Sequence, residues 1–242
     1  MLGTNEITKP FPKRDGMLLV NSFWYTMQGE GPDAGRPAIF MRLSKCNLRC
    51  TFCDTEFESG EWFNMPKLRN HIMGISENTG CKFLVITGGE PLLQNVVPLI
   101  VSLNERGISV SIETAGTVYA EGLENRFAAD RSIADNLIVC SPKTPKLNAR
   151  VIPLIGALKY VIGIDSAETE DGLPAMSTQV PGQLCEIYRP CECLTKGIPI
   201  YIQPMDTGEE RTTRQNVAFA AAVCMRHNYR LSLQMHKVVG LD

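Results

Sequence analysis

The chain has 242 residues, with 24 basic and 26 acidic side chains and a formal net charge of −2. That length suits one large α/β domain with a substantial core, and the near-balanced charge excludes the long-range field of a nucleic-acid or membrane-surface binder. No apolar run of membrane-spanning or leader length is present, so a cytoplasmic protein is expected, with no nucleic acid and no membrane among its partners. In that reducing compartment the nine cysteines read as free thiols or metal ligands rather than a disulfide framework.

Residues 1–17, with Pro10 and Pro12, read as a mobile lead-in to a single domain over 18–242. Leu18–Tyr25 is a strand by its β-branched and aromatic content. It delivers Met27-Gln28-Gly29-Glu30-Gly31-Pro32, a turn whose Gln28 and Glu30 do not suit a core. Ala38–Leu43 follows as a buried strand with Arg42 as its one charged member. The next stretch, Cys46-Asn47-Leu48-Arg49-Cys50-Thr51-Phe52-Cys53-Asp54-Thr55, places three thiols at C-x3-C-x2-C spacing within one loop. Three ligands fall one short of a closed zinc site, whereas a four-iron cluster on three thiolates leaves one iron open for chemistry. The polar neighbours of this loop argue against a core role. Cys81, Cys140 and Cys224 sit in apolar runs and read as inert buried residues.

A helix is expected from Asn64-Met65-Pro66 to Gly80, with Leu68, Ile72 and Ile75 on its inner face. Phe83–Ile86 is a buried strand leading into Thr87-Gly88-Gly89-Glu90-Pro91 and then a helix stopped at Gly107. The rhythm continues with strand 108–112 ending at Glu113, Leu137–Cys140 ending at Ser141-Pro142-Lys143, Leu158–Ile162, and Pro199–Ile202 ending at Gln203-Pro204-Met205-Asp206. Six short apolar strands, most followed by a polar loop, predict a parallel α/β sheet or barrel whose ligand sits over the carboxyl ends of the strands. The Asp165–Gly197 insert breaks that rhythm. Its Cys185, Cys191 and Cys193 have a weak metal spacing and read as surface thiols. A last helix from Thr212 or Thr213 to His227, a strand over Arg230–Gln234 and a short tail complete the chain.

The three-cysteine loop with Phe52, followed one strand later by Gly88-Gly89-Glu90-Pro91, resembles the radical S-adenosylmethionine (SAM) superfamily. Gln28-Gly29-Glu30-Gly31, the stretch from Arg36 to Arg42, Cys53-Asp54-Thr55, Glu113-Thr114-Ala115-Gly116, Ser141-Pro142-Lys143 and Gln234-x-His236-Lys237 narrow the resemblance. Within the superfamily the chain is similar, from about Leu18 to its end, to the 7-carboxy-7-deazaguanine synthase family of queuosine and 7-deazapurine biosynthesis.

The resemblance implies a partial (βα)6-type barrel and a ring contraction of 6-carboxy-5,6,7,8-tetrahydropterin with loss of ammonia. It implies a 4Fe-4S cluster on Cys46, Cys50 and Cys53, and S-adenosyl-L-methionine held by Phe52, Cys53, Asp54, Gly89, Glu90, Glu113, Ser141, Pro142, Lys143, Gln203, Pro204, Met205 and Asp206. The pterin would meet Met27, Gln28, Gly29, Glu30, Arg42, Thr87 and, at lower rank, Asp242, with His236 and Lys237 as supports. Thr55 matches a position that binds Mg²⁺. A flavodoxin-like electron donor and a homodimer are also implied. Two other readings stand beside this one: a radical SAM activating enzyme acting on a protein glycine, and a zinc-binding structural module completed by a thiol such as Cys140.

Overall fold

The computed structural model describes residues 6–8, 11–53, 55–127, 136–165, 169–180, 182–183, 186–191 and 197–241. Its strands are β1 (Met17–Met27), β2 (Pro37–Leu43), β3 (Glu61–Asn64), β4 (Phe83–Gly88), β5 (Ser109–Thr114), β6 (Leu137–Cys140), β7 (Ile155–Ile162), β8 (Ile200–Pro204) and β9 (Arg230–Leu231). Its α-helices are α1 (Met65–Thr79), α2 (Val97–Asn104), α3 (Glu210–His227) and the short α4 (Met235–Val238). The strands form one open sheet in the order β3-β1-β2-β4-β5-β6-β7-β8-β9.

The six predicted parallel strands are β2 and β4 to β8, each hydrogen-bonded in parallel to the next. Their near-continuous apolar runs follow from burial on both faces of a parallel sheet. In β2, for instance, Ala38, Ile39, Phe40, Met41 and Leu43 are all buried. On one flank β1 pairs antiparallel with β2, from Val20 opposite Leu43 to Met27 opposite Pro37. The sheet is extended there by β3, which the sequence reading did not contain.

The first crossover is helical for local reasons. The Asn64 side chain caps α1 by accepting from Lys67 N, and Gly80 ends it in the left-handed region at φ 74°. Its Leu68 and Ile72 are fully buried. The strict strand–helix alternation then lapses. Among the described residues, the connections between β5 and β7 hold only single 3₁₀ turns, Leu123–Asn125 and Ile152–Leu154.

The described residues of the insert pack onto the body. Leu173 and Ile187 belong to the main hydrophobic core, Arg189 pairs with Asp171 at 2.7 Å, and Tyr160 donates its hydroxyl to Tyr188 O at 2.7 Å. Cys191 is disulfide-bonded, which corrects the expectation that it is a free surface thiol. Cys185 and Cys193 lie outside the described residues. Cys81, Cys140 and Cys224 are free and buried, as their apolar surroundings predict. Of the lead-in, Thr8 N donates to Cys46 O at 2.9 Å. Among the described residues no helix is long and apolar enough to cross a membrane.

Candidate active site

Two loops at the carboxyl ends of adjacent parallel strands build one wall of the site. The cysteine loop leaves β2 and the Gly88-Gly89-Glu90-Pro91 loop leaves β4. They are joined by Gly89 N donating to Leu43 O at 3.1 Å and Glu90 N donating to Lys45 O at 2.9 Å. The glycine pair is what permits this approach. Gly88 has φ +144°, and a Cβ there would lie 2.1 Å from Leu43 O; a Cβ on Gly89 would lie 2.1 Å from Lys45 O.

The loops open into a cavity of about 720 Å³ that spans the carboxyl ends of the sheet. Cys46, Cys50 and Cys53 all face it, as do Phe52 and Thr55. Leu48 N donates to Cys46 Sγ at 3.4 Å, and Gln179 Nε2 donates to Cys50 Sγ at 3.1 Å. Burial pushes the Cys46 thiol up to about 12; nearby Glu90, Cys50 and Cys53 add to the rise and the Leu48 amide opposes it. A thiol in that state keeps its proton until a metal centre displaces it. Among the described residues no three His, Cys, Asp or Glu groups converge tightly enough for a single ion. A cluster that takes one thiolate on each of three irons needs a wider spacing, and three soft sulfur donors on one loop suit it.

The rest of the cavity lining is polar and cross-tied. Glu113 Oε1 accepts from Gln28 Nε2 at 3.1 Å and its Oε2 accepts from Thr87 Oγ1 at 3.0 Å, joining β5, β4 and the turn after β1. Glu30 forms a buried ion pair with Lys159 of β7 and also accepts from Gln203 Nε2 at 3.1 Å and Gln234 Nε2 at 2.9 Å. Burial works to raise the Glu30 pKa. The Lys159 ammonium and these hydrogen bonds outweigh it and hold the carboxyl below its usual range. The Arg42 guanidinium lies 4.8 Å over the Trp24 ring, which stacks on Phe40 at 4.9 Å. Lys143 Nζ donates to Ser141 O at 3.0 Å and to Ser141 Oγ, and stands 5.7 Å from the Phe52 ring centre. Burial pulls its ammonium pKa down.

The cavity also brings together Met27, Gly89, Pro204, Met205 and Asp206 from the predicted set. Three predicted contacts, Gly29, Glu90 and Pro142, do not line it. Glu90 is fully buried, accepting from Leu92 N at 3.0 Å, Thr114 Oγ1 at 2.7 Å and Ala115 N at 2.9 Å, so it braces the wall from behind. Burial pushes its pKa up. Gly29 instead seats the carboxyl-terminal segment: Met235 N donates to its carbonyl at 3.0 Å, and a Cβ on it would lie 2.0 Å from His236 Nδ1. Asp54 and Asp242 lie outside the described residues.

Sequence reasoning missed Lys159, Trp24 and Phe40, all on the cavity wall. A lone lysine inside the apolar run Ile155–Ile162 was the available signal for the first. The two aromatics read as ordinary strand residues.

An open parallel sheet with a three-cysteine loop and a double-glycine loop on neighbouring strand ends has the layout of a radical SAM protein, and residues 42–145 match the radical SAM superfamily. A 7-carboxy-7-deazaguanine synthase from Rhodospirillum rubrum is 40% identical over 248 residues, covering 100% of both chains. Another from Rickettsia prowazekii is 34% identical over 96% of this chain and 94% of its own. The crystal structure of QueE from Escherichia coli superposes with a TM-score of 0.58 at 21% identity, covering 90% of this chain and 93% of that one, which supports the fold. The chain belongs to the 7-carboxy-7-deazaguanine synthase family.

Proposed function

We propose that this protein is a radical SAM lyase that contracts the ring of 6-carboxy-5,6,7,8-tetrahydropterin to 7-carboxy-7-deazaguanine with loss of ammonia, within 7-deazapurine and queuosine biosynthesis. The observation that carries the reading is one cavity that joins the cysteine loop to a polar wall of Gln28, Arg42, Thr87 and Glu113, in a chain related over its full length to synthases of that name. A 4Fe-4S cluster on Cys46, Cys50 and Cys53, together with S-adenosyl-L-methionine, would supply one-electron cleavage of the sulfonium and the radical that removes a hydrogen atom.

The protein's part is placement. The Arg42 guanidinium, which stands over the Trp24 ring, presents donors in a fork that matches the substrate carboxylate. Gln28, cross-tied with Glu113 and Thr87, addresses the polar edge of a flat pterin through amide and carboxylate groups. Phe52, Ser141, Lys143, Gln203, Pro204, Met205 and Asp206 surround the space next to the thiols, where the nucleoside would lie. The Glu30–Lys159 pair offsets charge within the cavity lining and sets the direction of Gln203 and Gln234. Thr55 faces the cavity and can give a hydroxyl to Mg²⁺, an ion that fills most of its shell with water and substrate oxygens. The reading carries with it a flavodoxin-like electron donor, a homodimer and a cytoplasmic location.

The test is an anaerobic assay of the reconstituted protein with S-adenosyl-L-methionine, reductant, Mg²⁺ and 6-carboxytetrahydropterin, followed by mass spectrometry. Catalytic formation of 7-carboxy-7-deazaguanine is the expected result. Deoxyadenosine without that product would overturn the substrate assignment.

A further inference from the structure

The insert reaches the cysteine loop. Three consecutive residues of that loop are held by two residues about 130 positions later: Arg49 N donates to Gln179 Oε1 at 2.9 Å, Gln179 Nε2 donates to Cys50 Sγ at 3.1 Å, and Thr51 N donates to Thr178 O at 2.8 Å. The Gln179 amide therefore uses both of its ends on one loop. Its orientation is set by the Arg49 N–H, which needs the carbonyl end and turns the NH2 toward sulfur.

The segment that carries this amide is itself closed and anchored. Ser177 Oγ accepts from Gln179 N at 3.1 Å and Val180 N at 3.0 Å, and Ser177 N donates to Gln183 O at 2.7 Å. Thr178 is buried, and its hydroxyl donates to Lys143 O at 2.9 Å, tying the turn to the loop after β6. Farther along, Tyr188 N donates to Thr144 O at 2.9 Å.

We propose that residues 177–180 of the insert form a strap over the cysteine loop, and that Gln179 is a positioning residue that orients the Cys50 thiolate and raises the reduction potential of the cluster bound there. The inference rests on the cluster reading above. An N–H aimed at a metal-bound thiolate withdraws electron density and favours the more negatively charged, reduced cluster, which is how partners beyond the ligands tune iron–sulfur potentials. The same amide caps Arg49 N, so the loop is held in the shape that presents Cys50.

Full-length wild type, Gln179→Leu and Gln179→Glu would be reconstituted anaerobically, assayed for iron and sulfide, and titrated redox-potentiometrically with electron paramagnetic resonance as the readout. Gln179→Glu retains an acceptor for Arg49 N and replaces the donor by a carboxylate, so it preserves the loop while reversing the effect on sulfur. Both variants are expected to bind iron as wild type does and to show, at a fixed potential, roughly a tenfold lower ratio of reduced to oxidised cluster, about 59 mV downward for one electron. If Gln179→Leu loses iron, the Gln179→Glu titration decides. Potentials equal to wild type in iron-loaded Gln179→Glu would overturn the proposal while leaving the cluster reading intact. Wild type that takes up no iron would overturn the cluster reading and this proposal with it.

Discussion

Gly89 can carry no side chain, because the Lys45 carbonyl occupies the place where its Cβ would be. The double glycine is thus a packing requirement between two loops before it is a binding device. Gly89→Ala is expected to push the loop after β4 away from the cysteine loop. It should leave far-ultraviolet circular dichroism near wild type while iron incorporation falls severalfold; full iron loading would show that the loops tolerate separation. Glu56, just beyond the cysteine loop, acts on the same region through charge. Hydrogen bonds from Ser59 N and Oγ, Asn21 Nδ2 and Glu58 N hold its carboxyl down at about 2. A folded-state value below the unfolded one means stability that is present in full above about pH 4.5 and is lost as the pH falls through about 2. Relative to wild type, Glu56→Gln should be destabilised near neutrality by at most about 1 kcal/mol, since the group is exposed and screened. The deficit should close by about pH 2. A deficit that stays constant between pH 7 and pH 2 in urea titrations would contradict this account.

Elements that were legible in the sequence are those whose signals are local. The boundaries of α1 were readable because Asn64, Pro66 and Gly80 each act within a turn of the helix end. Removing the cap by Asn64→Ala should cost about 1 kcal/mol in urea unfolding. A change below a few tenths would mean that the β3 to α1 junction is held by tertiary contacts instead. The buried strands were legible by composition, since a parallel strand covered on both faces must be apolar throughout. By contrast β3, four residues long, exists only because Met17–Val20 offers it an edge, and nothing in Glu61–Asn64 announces that partner. The expected helix after Pro91 divides into a 3₁₀ turn and the shorter α2. Pro98 and the Glu90 side chain bonded to Leu92 N shape that start more than the apolar period does.

At the scale of the molecule, segments far apart in the chain meet beside the cavity. The turn after β1 meets the carboxyl-terminal segment through Ser232 Oγ, which accepts from Gly31 N at 2.9 Å, and through Met235 N, which donates to Gly29 O at 3.0 Å. Lys237 pairs with Asp206 at 2.6 Å. Deleting residues 235–242 removes His236, Lys237 and Leu241 from the cavity lining. The truncated protein is expected to retain iron and reductive cleavage of S-adenosyl-L-methionine while losing at least tenfold in formation of the deazaguanine acid. Equal loss of deoxyadenosine and product would place the tail's contribution on the cofactor side instead.

The chain by itself determined the thiol loop, the double glycine, the six parallel strands and the order in which polar loops follow them. These features are written in neighbouring residues, through spacing, capping and apolar runs. Only the tertiary structure decided that Gly29 seats His236, that Glu90 stands behind the wall, that Lys159 answers Glu30, and that Gln179 reaches Cys50. Each of those depends on two residues far apart in sequence, and such a pairing has no local signature because the energy that selects it, burial of a charge or satisfaction of a buried donor, exists only once the sheet has brought the strand ends together.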